Sequence, residues 1–209
     1  MFSGGSSMQQ IRFRFEQRKA LAAIELLSEK GMQDLTKGKI AKLLFFADKR
    51  HLVQFGRPIT GDWYAALPHG PIPSNIDNLL DAFEAANSQY EGVDSMLQMF
   101  ELDRRYEYPR LKKRPIVKPQ SMVDLLSESD VQVLEECVEQ LGGLTFSELR
   151  AISHDQPAYV NAWQKRGTSD SHPMSFEDFF EDDQDSIAGV KDGMIEDFMI
   201  RHRFPEPVF

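Results

Sequence analysis

Cysteine is nearly absent from the 209-residue chain. Cys137 stands alone, so no internal disulfide can form and the fold must hold by packing, as expected in a reducing cytoplasm. Its neighbours Glu135, Glu136 and Glu139 would raise rather than lower a thiol pKa, which argues against a reactive cysteine. Long apolar runs are missing as well. The longest, Leu43 to Ala47 and Trp63 to Leu67, fall far short of the ~20 residues a membrane-spanning helix needs. Positive charge is in deficit: 24 Lys and Arg face 33 Asp and Glu, a net charge of −9. A field of that sign disfavours nucleic acid as a partner. The chain has no Gly-x-Ser-x-Gly elbow, no His-Glu-x-x-His pair, no phosphate-cradling glycine loop and no cysteine set for zinc. Those absences remove the familiar enzyme signatures, and no cofactor or metal is called for. The Gly/Ser-rich start is followed by Arg12, Arg14, Arg18 and Lys19 without an apolar region, so a secretory leader is not expected.

What is present is enough for a core: 41% hydrophobic residues, including 15 Phe. Ala20, Ile24 and Leu27 mark an amphipathic helix over Glu16 to Lys30. Thr36 as N-cap and Gly56 at the far end bracket a second, with Ile40, Leu43, Leu44, Ala47 and Phe55 facing inward. A strand around Trp63 to Leu67 and a rigid Gly/Pro loop precede a third helix, from Ser74 to near Ala86. Met96 to Leu102 and Arg104 to Tyr108 read as short, partly exposed strands. Ser127 or Ser129 opens a helix carrying Val131, Leu134, Val138 and Leu141 inward. Thr145 with Glu148 forms a capping box for the next, and Pro157 starts another. A last helix spans roughly Ser186 to His202, with Ile187, Ile195, Phe198 and Met199. The expected class is predominantly α-helical (α+β), a compact helical domain with a small antiparallel β element. Its expected divisions are a flexible N-terminus (1–10), the domain (11–166) and an acidic C-terminal extension (167–209) packed on the domain or appended to it.

Few residues suggest chemistry. Asp48 and His51 share one helix face and could hold a metal or pass a proton, although a structural hydrogen bond is the simpler reading. His69 lies in a loop stiffened by Pro68 and Pro71, open to acid–base or structural roles. His154 ends a short helix, where its ring suits the terminal carbonyls. An enzyme would need Asp48, His51, His69 and His154 in one pocket. The basic stretch Arg104 to Lys118, with Tyr106 and Tyr108, has the composition of a single-strand nucleic-acid surface but fits a charge-protected edge strand better. Beyond Gly167, Phe176, Phe179 and Phe180 sit among uncompensated carboxylates including Asp182 and Asp183, either as a solvated extension or as anchors for a basic cleft on a partner.

Two ordered blocks carry a resemblance. The first is Lys42, Leu43, Leu44, Phe45 and Asp48, then Gly56, Pro58, Ile59, Gly61, Asp62, Tyr64 and Ala66, then Gly70, Pro71 and Pro73. The second is Leu149, Ser153, His154, Pro157 and Trp163. Over about Ala20 to Arg166 the chain resembles the Panacea family of SocA-like antitoxin domains, earlier grouped with phage-associated GepA proteins. It departs at His69, where an aromatic residue commonly precedes Gly-Pro, and in the acidic extension. The resemblance implies a cytoplasmic, non-enzymatic antitoxin whose partner is a cognate protein toxin, neutralised by steric or active-site occlusion. A protease adaptor, a nucleic-acid-binding regulator and an uncharacterised enzyme are the alternatives, and a homo-oligomer is compatible with the sequence. The expected partner-binding residues are Asp62, Trp63, Tyr64, His69, Gly70 and Pro71, whose rigid loop lowers the ordering cost of binding, with Phe176, Phe179, Phe180, Asp182 and Asp183.

Overall fold

Thr36 and Gly56 bracket the helix on which the rest is assembled. A computed structural model of the chain describes residues 11–30, 32, 34–114, 122–181 and 187–203. The N-terminus expected to be flexible (1–10), Lys118, Asp182 and Asp183 lie outside them. Helix α1 spans Gln17–Glu29 and α2 Lys37–Phe55. Strands β1 (Tyr64–Leu67) and β2 (Gly70–Pro73) form an antiparallel hairpin, and α3 (Ser74–Glu84) follows directly. Next come α4 (Val93–Met99), β3 (Phe100–Asp103) and β4 (Arg110–Lys113), then α5 (Glu128–Leu141), α6 (Phe146–His154) and α7 (Pro157–Lys165). The chain returns through β5 (His172–Pro173) and ends on α8 (Val190–Arg203). One sheet has the order β2-β1-β5, and β3 pairs with β4 in another. The fold is predominantly α with a small antiparallel β element.

The Thr36 hydroxyl accepts the Lys39 N–H at 3.3 Å, a cap worth about 1 kcal/mol. Capping boxes at Ser127 with Asp130 and at Thr145 with Glu148 start α5 and α6. Helix α2 runs through the centre, packed by α5, β2, α6 and α3. Being enclosed, it buries Lys39, Lys42, Asp48 and His51 along with its apolar residues, and each of these needs a polar partner. Phe55, expected inward, is 46% exposed at the helix end, its ring tilted against that of His51.

Three local expectations change. Met96 to Met99 is helical rather than extended, because Val93, Met96 and Met99 recur at helical spacing and are all buried. Arg104 to Tyr108 is the connection between β3 and β4, not a strand. On α5 the buried stripe is Asp130, Val133, Leu134 and Cys137, displaced from the predicted Val131, Val138 and Leu141 because Asp130 is drawn inward by ion pairs. Burial pushes the Cys137 thiol up to about 11, consistent with an inert side chain.

The core has two adjoining parts. One lies among α1 to α5. The other gathers Phe45 and Tyr64 with Tyr159, Met174, Phe176, Phe179 and Phe198 from the last third of the chain. Phe179 meets Phe45 edge-on at 5.7 Å, and Phe176 meets Phe13 at 5.0 Å. The basic stretch is neutralised locally: Arg105 and Lys112 bind Asp103, Lys113 binds Glu25 and Glu29, and Arg110 stacks on Tyr106. That supports the protected-edge reading.

Candidate functional site

Two buried carboxylates shape the segment from Gly56 to Pro73. Asp48 Oδ1 accepts the Ile59 and Thr60 N–H groups at 2.8 and 3.0 Å. Its Oδ2 accepts the hydroxyls of Thr60 and Tyr64 at 2.5 and 2.8 Å. Burial pushes its pKa up to about 6 against the pull of those four hydrogen bonds. Asp62 Oδ1 accepts the N–H of Trp63 and both the backbone and side-chain N–H of Asn75, while Oδ2 accepts the Ile76 N–H at 2.9 Å. It therefore caps α3 from a distance, where the local N-cap, Pro73, has no side-chain acceptor. Between them Gly61, at φ +67, lies so close to the Arg14 carbonyl that a Cβ would come within 1.9 Å of it. A glycine is needed there for the segment before α1 to cross.

The hairpin turn is fixed from behind. Gly70 has φ +97, and a Cβ on it would stand 2.8 Å from both Lys42 Nζ and Ser153 Oγ and 3.1 Å from His154 Cδ2. Lys42, fully buried, donates to the Pro71 carbonyl at 2.8 Å and has no ion pair among the described residues. Burial, reinforced by the Arg150 charge, lowers its pKa to about 7. Arg150 donates to the Pro68 carbonyl at 3.1 Å and Tyr159 to the Leu67 carbonyl at 3.0 Å. His154 stacks on Tyr159 with ring centroids 4.5 Å apart, and its buried Nε2 has no hydrogen-bond partner among the described residues. It does not cap the α6 carbonyls as the sequence suggested.

The Lys42 amine carries a testable pH dependence. Its folded pKa lies below the unfolded value of about 10.4. From about pH 7 to 10 the unfolded state therefore binds more protons, and stability rises with pH across that window. Lys42→Met should be more stable than the parent at pH 6, by up to a few kcal/mol. The two should converge near pH 10 in urea melts; parallel curves would contradict the depressed amine.

The expected partner-binding residues divide sharply. Trp63 is 48% exposed, and Pro68 and His69 are exposed at the turn. Asp62, Tyr64, Gly70 and Pro71 are buried and act as the scaffold. Trp63 and Pro68 lie at opposite ends of β1, roughly 17 Å apart, so they do not form one small patch. Phe176 and Phe179 are buried and Phe180 half-buried, which turns them from presented anchors into packing residues. Asp48 and His51 share a helix but serve separate networks. His51 Nδ1 meets the Arg57 carbonyl at 2.7 Å, and Nε2 meets Ser129 Oγ and Asp130 Oδ1 at 3.0 and 3.1 Å. Asp130 also binds Lys19 and Arg57, which hold its pKa low despite burial. The structure does not join Asp48, His51, His69 and His154 into one pocket, and no group of metal-binding side chains occurs among the described residues.

A family model of the SocA-like antitoxin Panacea domain matches residues 40–160. The chain belongs to that family. No curated protein and no solved structure matches it. The Panacea match starts inside α2 and ends inside α7, so it contains the Asp48 clamp, the hairpin and the Lys42–Ser153–His154 cluster. It leaves out α1 and residues 161–209, which complete the second core.

Sequence reasoning missed Lys42 and Arg150 as members of this site. Lys42 was visible as a lysine directly preceding the apolar run Leu43 to Ala47, a position where a surface face cannot easily be found. Arg150 gave no local signal, since its proximity to the hairpin turn comes from α6 crossing α2.

Proposed function

We propose that this Panacea domain neutralises a cognate protein toxin by binding it directly. The family match over residues 40–160 carries the reading. The physical support is a hairpin held rigid by Asp48, Asp62 and Lys42, which presents Trp63 at one end and Pro68 and His69 at the other without an ordering cost on binding. The toxin's chemistry is left open. Occlusion requires only that its working surface be covered.

Co-expression with the cognate toxin should restore growth, and the two chains should co-purify. Trp63→Ala and His69→Ala, at exposed positions, should fold normally and weaken the complex by about 1–3 kcal/mol for whichever end contacts the toxin. Rescue without a complex would favour delivery to a protease instead. If both variants bind at full strength, the hairpin is not the interface.

A further inference from the structure

Beside the hairpin turn, between α6 and α7, lies an open cleft of about 430 Å³ lined by Pro68, Arg150, His154, Tyr159, Val160 and Trp163. Its lining is mostly apolar. Three aromatic rings form a column along it: His154 on Tyr159, and Tyr159 on Trp163 at 5.8 Å, with the Arg166 guanidinium 3.6 Å over the Trp163 ring. The cleft also holds unsatisfied polar capacity. Arg150, exposed on its rim, makes no ion pair among the described residues. Lys42, which also makes no ion pair among the described residues, stands behind the turn, where it and Arg150 repel each other and both oppose protonation of His154, against the pull of Asp77 on Lys42 and of Asp155 on His154. In a chain of net charge −9, Lys19, Lys37, Lys39, Arg57 and Lys113 find carboxylates, whereas Arg150 finds only the Pro68 carbonyl among the described residues.

We propose that the cleft is a carboxylate-recognition pocket for an acidic side chain of a protein partner. Arg150 supplies the ionic contact, and the stacked His154–Tyr159–Trp163 column the surface for the apolar neighbour of that side chain. A single guanidinium matches one carboxylate. A polyanion would need a track of cations and would meet Asp155, Asp178 and Glu181 nearby in the chain, so a nucleic acid does not suit the cleft. The assignment of the partner as the toxin rests on the antitoxin reading above; the pocket chemistry does not.

The site makes a spectroscopic demand. Burial and the neighbouring cations hold the His154 pKa below its ordinary value, so binding a carboxylate beside it must raise that pKa and take up protons. The probes are 3-phenylpropionate, which has an apolar body and one carboxylate, and its uncharged amide. In NMR titrations of the full chain, the acid should shift the His154 ring and Trp163 indole signals saturably and raise the His154 pKa. The amide should bind at least ~10-fold more weakly. Arg150→Gln, at an exposed position, should lose the acid at least ~5-fold with an unchanged fold. Equal binding of acid and amide, or undiminished binding to Arg150→Gln, overturns the pocket. With the toxin, Arg150→Glu should weaken the complex at least ~10-fold. If the probe is lost but toxin affinity stays unchanged, the proposal fails for its partner while the antitoxin reading survives. If the parent chain binds no toxin, that reading fails, and the probe titration still decides the pocket.

Discussion

Replacing Asp48 by alanine is expected to destabilise the protein by about 3–5 kcal/mol, lowering its melting temperature by roughly 10 °C or more. The carboxylate accepts four hydrogen bonds from Ile59, Thr60 and Tyr64, and alanine leaves four donors in a site from which water is excluded. Asp48→Asn keeps the shape and should recover part of the loss, because the Thr60 and Tyr64 hydroxyls can rotate to accept from its amide. The two variants also separate in pH. Burial raises the folded pKa to about 6, above the unfolded value near 3.9, so the native state binds more protons between them. Stability associated with protonated Asp48 is present below about pH 4 and is lost as pH rises through 6. The asparagine variant should lack this fall. A calorimetric scan from pH 4 to 7 in which parent and Asp48→Asn stay parallel would contradict the raised pKa.

Deleting everything after Gly167 should leave no stable fold. The deletion removes β5, whose residues pair with Ala65 and Ala66 of β1, and the Met174 N–H that donates to the Tyr64 carbonyl at 2.8 Å. It also strips Met174, Phe176 and Phe179 from the core around Phe45 and Tyr64. At about 1.5–3 kcal/mol for each buried side chain, the loss is comparable to the whole stability of a domain. Phe179→Ala alone should cost about 3–5 kcal/mol. A truncated chain with an unchanged melting temperature would show the extension to be an appendage. The extension therefore cannot be tested for toxin binding by deletion.

Where the determinants are local, the sequence was readable. Thr36 and Gly56 fix the ends of α2, Thr145 with Glu148 starts α6, and α5 opens at Ser127, one of the two serines expected, because each acts within a turn of its own position; Gly70–Pro73, expected as a rigid loop, is instead the strand β2, paired across the turn with β1. The roles of Asp48, Asp62 and Asp130 were not readable as such, since their partners lie 11–16, 13–14 and 73–111 residues away for the longer-range bonds and depend on tertiary approach. Phe176 and Phe179 misled for the complementary reason. Acidic neighbours gave the segment the composition of a solvated tail, while its aromatic rings fill a space that exists only after α2 and β1 have met. Part of the candidate site followed the family motif, but its division into exposed Trp63 and His69 and buried Asp62 and Tyr64 required the fold.

Direct neutralisation predicts that the purified chain inhibits its purified toxin without ATP or any protease. In a titration of toxin activity, inhibition should saturate at a fixed molar ratio, and the two chains should elute together at that ratio. A toxin that keeps full activity in about tenfold excess of the folded chain, with no joint species, would contradict the account.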